Sequence, residues 1–226
     1  MKPFNKYFEH TLLKPDATEA EVVKLFEEAL KYDFYGVCID GCYMPHAWEH
    51  LEGSGIMIAT VIGFPLGTMA TSSKAAETWE ALDDGAEEVD AMINVGALKD
   101  GRYDYVGGEI SMLAEMCHKE NAEFKIILET CLLTDDEIVK ACDLAKRAKA
   151  DFIKTSTGFS TGGATVEAVK LIRETVGDDV KIKASGGIRT LDQAIALIEA
   201  GADRIGSSNC VEIMEEYLKT GKEPKL

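Results

Sequence analysis

Apolar positions along this chain fall into two alternating rhythms: short continuous runs, and longer stretches in which they return every three or four residues. The runs predict buried strands and the stretches predict amphipathic helices. Strands are expected at residues 8–13, 35–40, 56–62, 88–93, 124–129, 151–154, 180–183 and 203–206. Between them the pattern predicts a helix capped by Thr18, with Glu21 as the capping-box acid, and a short helical piece after Pro45. Further helices are expected over 72–84, 103–119, 134–149 with Thr134 as cap, 165–176, 191–200 and 208–218. A small-residue phrase turns helices into strands at Gly85-Ala86-Glu87 and Gly201-Ala202-Asp203, with Lys149-Ala150-Asp151 as a variant.

Eight strand-helix units in 226 residues average about 28 each, the economy of a closed parallel barrel, whose usual range begins near 200 residues. The expected fold is a single-domain α/β TIM barrel, (β/α)8, spanning residues 1–226. An open doubly wound sheet would place a glycine fingerprint after its first strand, and the sequence carries none there. A barrel puts its chemistry at the C-terminal ends of its strands. Those ends fall near Cys38 and Asp40, near Asp90 and Asn94, over residues 125–129, at Lys154 and at Lys183.

The stretch Asp151-Phe152-Ile153-Lys154-Thr155-Ser156-Thr157-Gly158 delivers Lys154 from an apolar strand onto a hydroxyl-rich turn. An ammonium at that junction loses hydration, so its pKa is expected to fall and a neutral amine to become available for attack on a carbonyl. A lysine that only snorkels at a strand end is the plainer alternative. The run Val180-Lys181-Ile182-Lys183-Ala184-Ser185-Gly186-Gly187 repeats the arrangement. If the two strands are parallel neighbours, Lys183 emerges beside Lys154, and each cation depresses the other's pKa, which prepares an amine for Schiff-base chemistry. Asp90 stands within an apolar strand, where a carboxylate is costly unless it points into a pocket and meets a cation. A structural ion pair would satisfy it equally.

Three small-residue sites gather near the last strands: residues 158–163, Gly186-Gly187, and Gly206-Ser207-Ser208-Asn209 opening the final helix. Backbone N–H groups and a helix N-terminus there suit a phosphate, at the usual phosphate-binding end of a barrel. The overall charge complicates this. With 24 basic against 40 acidic residues the chain carries a formal charge of -16, so nucleic acid and anionic membranes are excluded as partners, and a phosphate site must be locally positive. Residues 1–10 lack an apolar signal region and no apolar run approaches membrane-spanning length, so a soluble cytoplasmic protein is expected. Cys38, Cys42, Cys117, Cys131, Cys142 and Cys210 are scattered without a paired motif and read as free thiols. His46 and His50 lie one helical turn apart with no third ligand at a motif spacing, which reads as a helix face, and no metal is expected.

Taken in order, His10-Thr11-Leu12-Leu13-Lys14-Pro15, Val61-Ile62-Gly63-Phe64-Pro65-Leu66-Gly67, Leu128-Glu129-Thr130-Cys131-Leu132-Leu133 and the two lysine motifs resemble the deoxyribose-phosphate aldolase family across nearly the whole chain. That family comprises Schiff-base (class I) aldolases on a barrel fold. The resemblance implies reversible cleavage of 2-deoxy-D-ribose 5-phosphate to D-glyceraldehyde 3-phosphate and acetaldehyde, without metal or cofactor. It implies that Lys154 forms the Schiff base, that Lys183 lowers its pKa, and that Asp90 is the acid/base carboxylate. By the same resemblance Gly158, Gly186, Gly187, Gly206 and Ser208 bind phosphate, while Thr11, Cys38 and Thr157 line the pocket. A homo-oligomer, dimer or tetramer, is implied as well.

Two departures from the family pattern stand out. Asp40-Gly41-Cys42-Tyr43 replaces the usual Asn-Pro before Cys/Ser-Tyr, and the chain ends Lys222-Glu223-Pro224-Lys225-Leu226 without the terminal tyrosine that assists proton transfer in some members. Cys38 invites one more expectation, capture by reactive aldehydes, against the simpler role of a small buried hydrophobe. Two other function classes fit a phosphate-binding barrel: an acid/base enzyme such as an isomerase, and a non-catalytic phosphosugar-binding protein. The pair of lysines at adjacent strand ends speaks against the second.

Overall fold

The computed structural model describes residues 2–225. Met1 and Leu226, the outermost residues of the expected domain, lie outside the described residues. Eight parallel strands close into a barrel in chain order: β1 (Phe8–Leu12), β2 (Gly36–Ile39), β3 (Met57–Ile62), β4 (Glu88–Met92), β5 (Glu123–Ile127), β6 (Phe152–Lys154), β7 (Lys181–Ser185) and β8 (Arg204–Ser207). Closure comes from β1, which pairs with β2 on one side and β8 on the other, so no strand is left with a free edge.

Around them run α1 (Glu19–Tyr32), α2 (Met44–Leu51), α3 (Thr71–Asp83), α4 (Val95–Lys99), α5 (Tyr103–Lys119), α6 (Asp135–Arg147), α7 (Val166–Val176), α8 (Leu191–Glu199) and α9 (Cys210–Thr220). The helix starts are built as the sequence predicts. Glu21 accepts from Thr18 N at 2.9 Å and from Thr18 Oγ1 at 3.0 Å, and Thr134 with Glu137 forms the same box at α6. On α1 the buried positions Val22, Leu25, Phe26 and Ala29 follow the i, i+3, i+4, i+7 spacing and pack on the barrel's outer face. Each such large side chain contributes roughly 1.5–3 kcal/mol when fully buried. Helices leave through left-handed residues at the repeated phrase, with φ of 91° at Gly85, 113° at Gly201 and 61° at Lys149.

Some boundaries differ from the sequence pattern. The helix α4 has no counterpart among the expected elements, because five residues are too short to show a period, yet Asn94 Oδ1 caps it by accepting from Ala97 N at 2.9 Å. Strand β5 stops at Ile127 instead of 129: Glu129 takes a left-handed conformation, φ 56° and ψ 63°, and leads into a 3-10 turn at Thr130–Leu132. That conformation costs a non-glycine residue roughly 1–2 kcal/mol. The final helix begins at Cys210 instead of 208, since the Ser207 hydroxyl first turns the chain by accepting from Asn209 N at 2.9 Å.

Side chains alternate across each strand. Outward residues such as Phe8 and Val37 join the large apolar layer beneath the helices. Inward, a small apolar group of Leu13, Cys38, Ala59 and Val61 occupies one side, and charged side chains packed against the Phe152 and Tyr35 rings fill much of the rest. No helix among the described residues is long and apolar enough to cross a membrane.

Candidate active site

Register decides which side chains meet. Lys154 on β6 is the direct partner of Lys183 on β7, Asp90 on β4 the partner of Lys125 on β5, and Lys183 in turn the partner of Arg204 on β8. All five point inward and are buried, including Lys154 at 2% exposure, so the half-buried lysine expected from the sequence is enclosed almost completely. Asp90 is the centre of the group. Its Oδ2 accepts from Lys154 Nζ at 2.8 Å and from Lys183 Nζ at 2.7 Å, while Oδ1 accepts from Lys125 Nζ at 2.8 Å.

Beneath this lies a second tier. Lys125 also reaches Glu88 at 2.7 Å and Glu9 at 3.6 Å. Arg204 spans Glu88 at 3.2 Å and Glu9 at 3.4 Å, with its guanidinium 3.3 Å above the Tyr35 ring, and Lys183 touches Glu9 as well. Three carboxylates (Glu9, Glu88, Asp90) thus face four cations (Lys125, Lys154, Lys183, Arg204), a sum of +1 if every group is charged. In a water-poor interior such an excess is costly, and one neutral amine removes it. Burial first, and the Arg204 guanidinium second, pull Lys183 well below the ordinary lysine range. Burial also works against the Lys125 ammonium, but Asp90 and Glu88 outweigh it and hold its pKa above the usual value. Glu88 behaves likewise, with burial raising it and Lys125 and Arg204 prevailing to hold it at about 2.

Above the cluster opens a cavity of about 330 Å³ at the C-terminal mouth. Lys154 and Lys183 form its floor, and Thr11, Thr157, Gly158, Gly186, Gly187, Gly206 and Ser208 line it, so nine of the residues singled out from the sequence come together here. Lys14 and Arg189 line it too, and among the described residues no acidic side chain does. Lys14 precedes Pro15 and Arg189 lies two residues past the glycine pair, a proximity to the motifs that is the one sequence signal for either charge. The wall is therefore positive against the negative whole, as a phosphate requires.

The glycines do different things. Gly187, with φ 75°, has open space where a Cβ would stand, whereas Gly186 and Gly163 pack backbone to backbone. A Cβ at Gly206 would lie 2.9 Å from Lys183 Cε, so this position makes room for the lysine.

Asp90 and Cys38 sit below the cavity and are not part of its lining. Cys38 Sγ lies 4.0 Å from Asp90 Oδ2, and burial, with Asp90 second, pushes its thiol up to about 12. At neutral pH it stays a thiol packed on Leu13, Ala59 and Val61, the behaviour of a small hydrophobe. Glu9, Cys38 and Asp90 offer ligand atoms within 4.8 Å of one another, the geometry of a metal site. Both carboxylates are already engaged by ammonium groups and the sulfur is protonated, so a cation would have to displace the lysines. His50 Nδ1 bonds His46 O at 2.7 Å within α2.

A closed parallel barrel with buried amines at its C-terminal mouth, under a small basic cavity, defines a barrel enzyme with a lysine-centred site. The chain belongs to the DeoC/LacD family of aldolases, whose family model matches residues 6–213. It is 53% identical over 212 residues to a deoxyribose-phosphate aldolase of Thermococcus gammatolerans, covering 93% of this chain and 94% of the relative. A deoxyribose-phosphate aldolase of Streptococcus sanguinis is 54% identical over 217 residues, covering 96% and 98%. Among solved structures, the tetrameric deoxyribose phosphate aldolase of Aeropyrum pernix superposes with a TM-score of 0.88 at 33% identity, covering 96% of this chain and 91% of that one.

Proposed function

We propose that this protein is a class I aldolase that reversibly cleaves 2-deoxy-D-ribose 5-phosphate to D-glyceraldehyde 3-phosphate and acetaldehyde through a Schiff base on Lys154. The observation that carries this reading is the Lys154–Asp90–Lys183 bridge, in which one carboxylate oxygen binds two buried amines at the end of a basic cavity. Three carboxylates face four cations, and burial with the Arg204 guanidinium pulls Lys183 well below the ordinary lysine range, which favours a neutral amine at Lys183. Since both lysines share Asp90 Oδ2, the proton can pass from Lys154 to Lys183 and leave Lys154 as the nucleophile.

In the cleavage direction Lys154 Nζ attacks C1 of the open-chain sugar, and loss of water gives a protonated imine. Removal of the C3 hydroxyl proton towards Asp90, through a water, lets the C2–C3 bond break; its electron pair runs through C2 to the iminium nitrogen. D-glyceraldehyde 3-phosphate departs, leaving a two-carbon enamine. Protonation at C2 and hydrolysis of the resulting iminium release acetaldehyde and the amine. Gly158, Gly186, Gly187 and Ser208, with Lys14 and Arg189, hold the phosphate, so binding energy remote from the reacting bond keeps C1 in register. Substrate without phosphate is expected to react far more slowly. Thr11 and Thr157 contact the carbon chain between these ends.

Borohydride reduction in the presence of acetaldehyde tests the central step. An N-ethyl group mapped to Lys154, absent from Lys154→Leu, is the expected result; a label elsewhere, or none, refutes the proposal and favours acid/base chemistry without an imine. The tetrameric Aeropyrum pernix relative supports a homo-oligomer, which light scattering on the purified protein will show or exclude.

A further inference from the structure

One buried carboxylate beside the site takes no part in the steps above. Glu129, 2% exposed, lies just past the end of β5 in a left-handed backbone conformation. Buried Glu9, Glu88, Asp90 and Glu109 each have a cation within 4.0 Å, whereas among the described residues Glu129 has none. Its Oε2 instead accepts from the Thr157 hydroxyl and, at 3.3 Å, from the Thr157 backbone N. The flanking backbone grips the same segment, Leu128 N bonding Lys154 O at 3.0 Å and Thr130 N bonding Thr155 O at 2.9 Å. The turn around Glu129 therefore holds the stretch from Lys154 to Thr157 at several consecutive points.

Hydrogen-bond valence gives this clamp a chemical meaning. A hydroxyl has one proton to donate and two lone pairs to accept with. Thr157 gives its proton to Glu129 and accepts from Phe159 N at 3.0 Å, which leaves one lone pair and no proton for the cavity that Thr157 lines.

We propose that Glu129 is a positioning residue that fixes the Thr157 hydroxyl as an acceptor towards the cavity, so that the site selects a substrate carrying a hydroxyl donor at that place. The inference rests on the aldolase reading. The open-chain sugar has two free hydroxyls, at C3 and C4, and the C3 proton is consumed in the reaction. The C4 hydroxyl is the one left to be read, and in the synthetic direction it is the C2 hydroxyl of D-glyceraldehyde 3-phosphate.

The test compares addition of acetaldehyde to D-glyceraldehyde 3-phosphate and to 3-phosphooxypropanal, the same acceptor without that hydroxyl. In the unaltered enzyme kcat/KM should favour the hydroxylated acceptor about tenfold, the worth of one hydrogen bond. Glu129→Ala should bring the ratio towards one, and so should Thr157→Val, with the double variant no worse than either. Glu129→Gln, whose amide oxygen can accept from the same two donors, should restore the preference. Glu129→Gly, suited to the left-handed backbone, replaces the alanine variant if that fails to fold. A ratio unchanged in Glu129→Ala or Glu129→Gly, with only the melting temperature lowered, overturns the inference and leaves the aldolase reading intact. An unaltered enzyme that forms no imine with acetaldehyde overturns that reading itself.

Discussion

Replacing Gly206 by alanine separates two accounts of this glycine, a phosphate-binding amide and a space left for Lys183. The added Cβ would stand 2.9 Å from Lys183 Cε, 3.2 Å from Ser185 Cβ and 3.8 Å from Lys183 Nζ. Carbon atoms pack comfortably at about 3.5 Å or more, so Lys183 must retreat by about 0.6 Å. That retreat loosens the 2.7 Å contact between Nζ and Asp90 Oδ2. A misplacement of about 1 Å in a catalytic constellation can cost about a hundredfold, so kcat should fall about tenfold to a hundredfold. Overpacking of this kind costs about 1–3 kcal/mol, which lowers the melting temperature by about 2–12 °C in a domain of this size. The decisive assay is the rate of borohydride trapping with acetaldehyde, which carries no phosphate. Gly206→Ala should slow trapping, and should add nothing in a Lys183→Ala background where the collision is gone. Arg189→Gln is the control, expected to raise KM for the phosphosugar about tenfold while leaving trapping unchanged. Trapping at the original rate in Gly206→Ala, with a raised KM for the phosphosugar, would refute the steric account.

Three further outcomes follow from the buried charges. Because Arg204 is the second cause of the low pKa of Lys183, Arg204→Met should let that amine's pKa rise and move the acid limb of the pH–rate profile to higher pH; an unmoved limb removes Arg204 from the mechanism. Glu88 is held at about 2 against its ordinary 4.5, so its contribution to stability is complete above about pH 4.5 and is lost as pH falls through about 2. Melting temperatures measured across that window should decline, and Glu88→Gln should flatten the slope. Cys38→Ala should leave inactivation by high acetaldehyde unchanged, since a thiol raised to about 12 is not nucleophilic at neutral pH; protection by the substitution would revive the aldehyde-capture idea.

The eightfold alternation was legible because each strand is a short apolar run followed by a helix with its own period, and strand ends then gave the Lys154–Lys183 pair that the register confirms as neighbours. The second tier was not. Glu9, Glu88, Lys125 and Arg204 lie on predicted strands, and a charge inside an apolar run was the available signal, used for Asp90 alone. Their pairing depends on the stagger of the closed barrel, which brings Arg204 on β8 against Glu88 on β4, 116 positions apart in the chain. Glu129 escaped for another reason. A left-handed glutamate looks, in sequence, like one more residue of a strand, and its φ of 56° appears only once the backbone is traced.

The uneven tally of cations and carboxylates inside the barrel means that the cost of the spare charge is shared by the group as a whole. Deleting a cation removes that excess, and deleting a carboxylate enlarges it. Loss of a distant glutamate would then alter the reacting amine's readiness without touching it, and exchanges that conserve the tally should disturb the chemistry less than single ones.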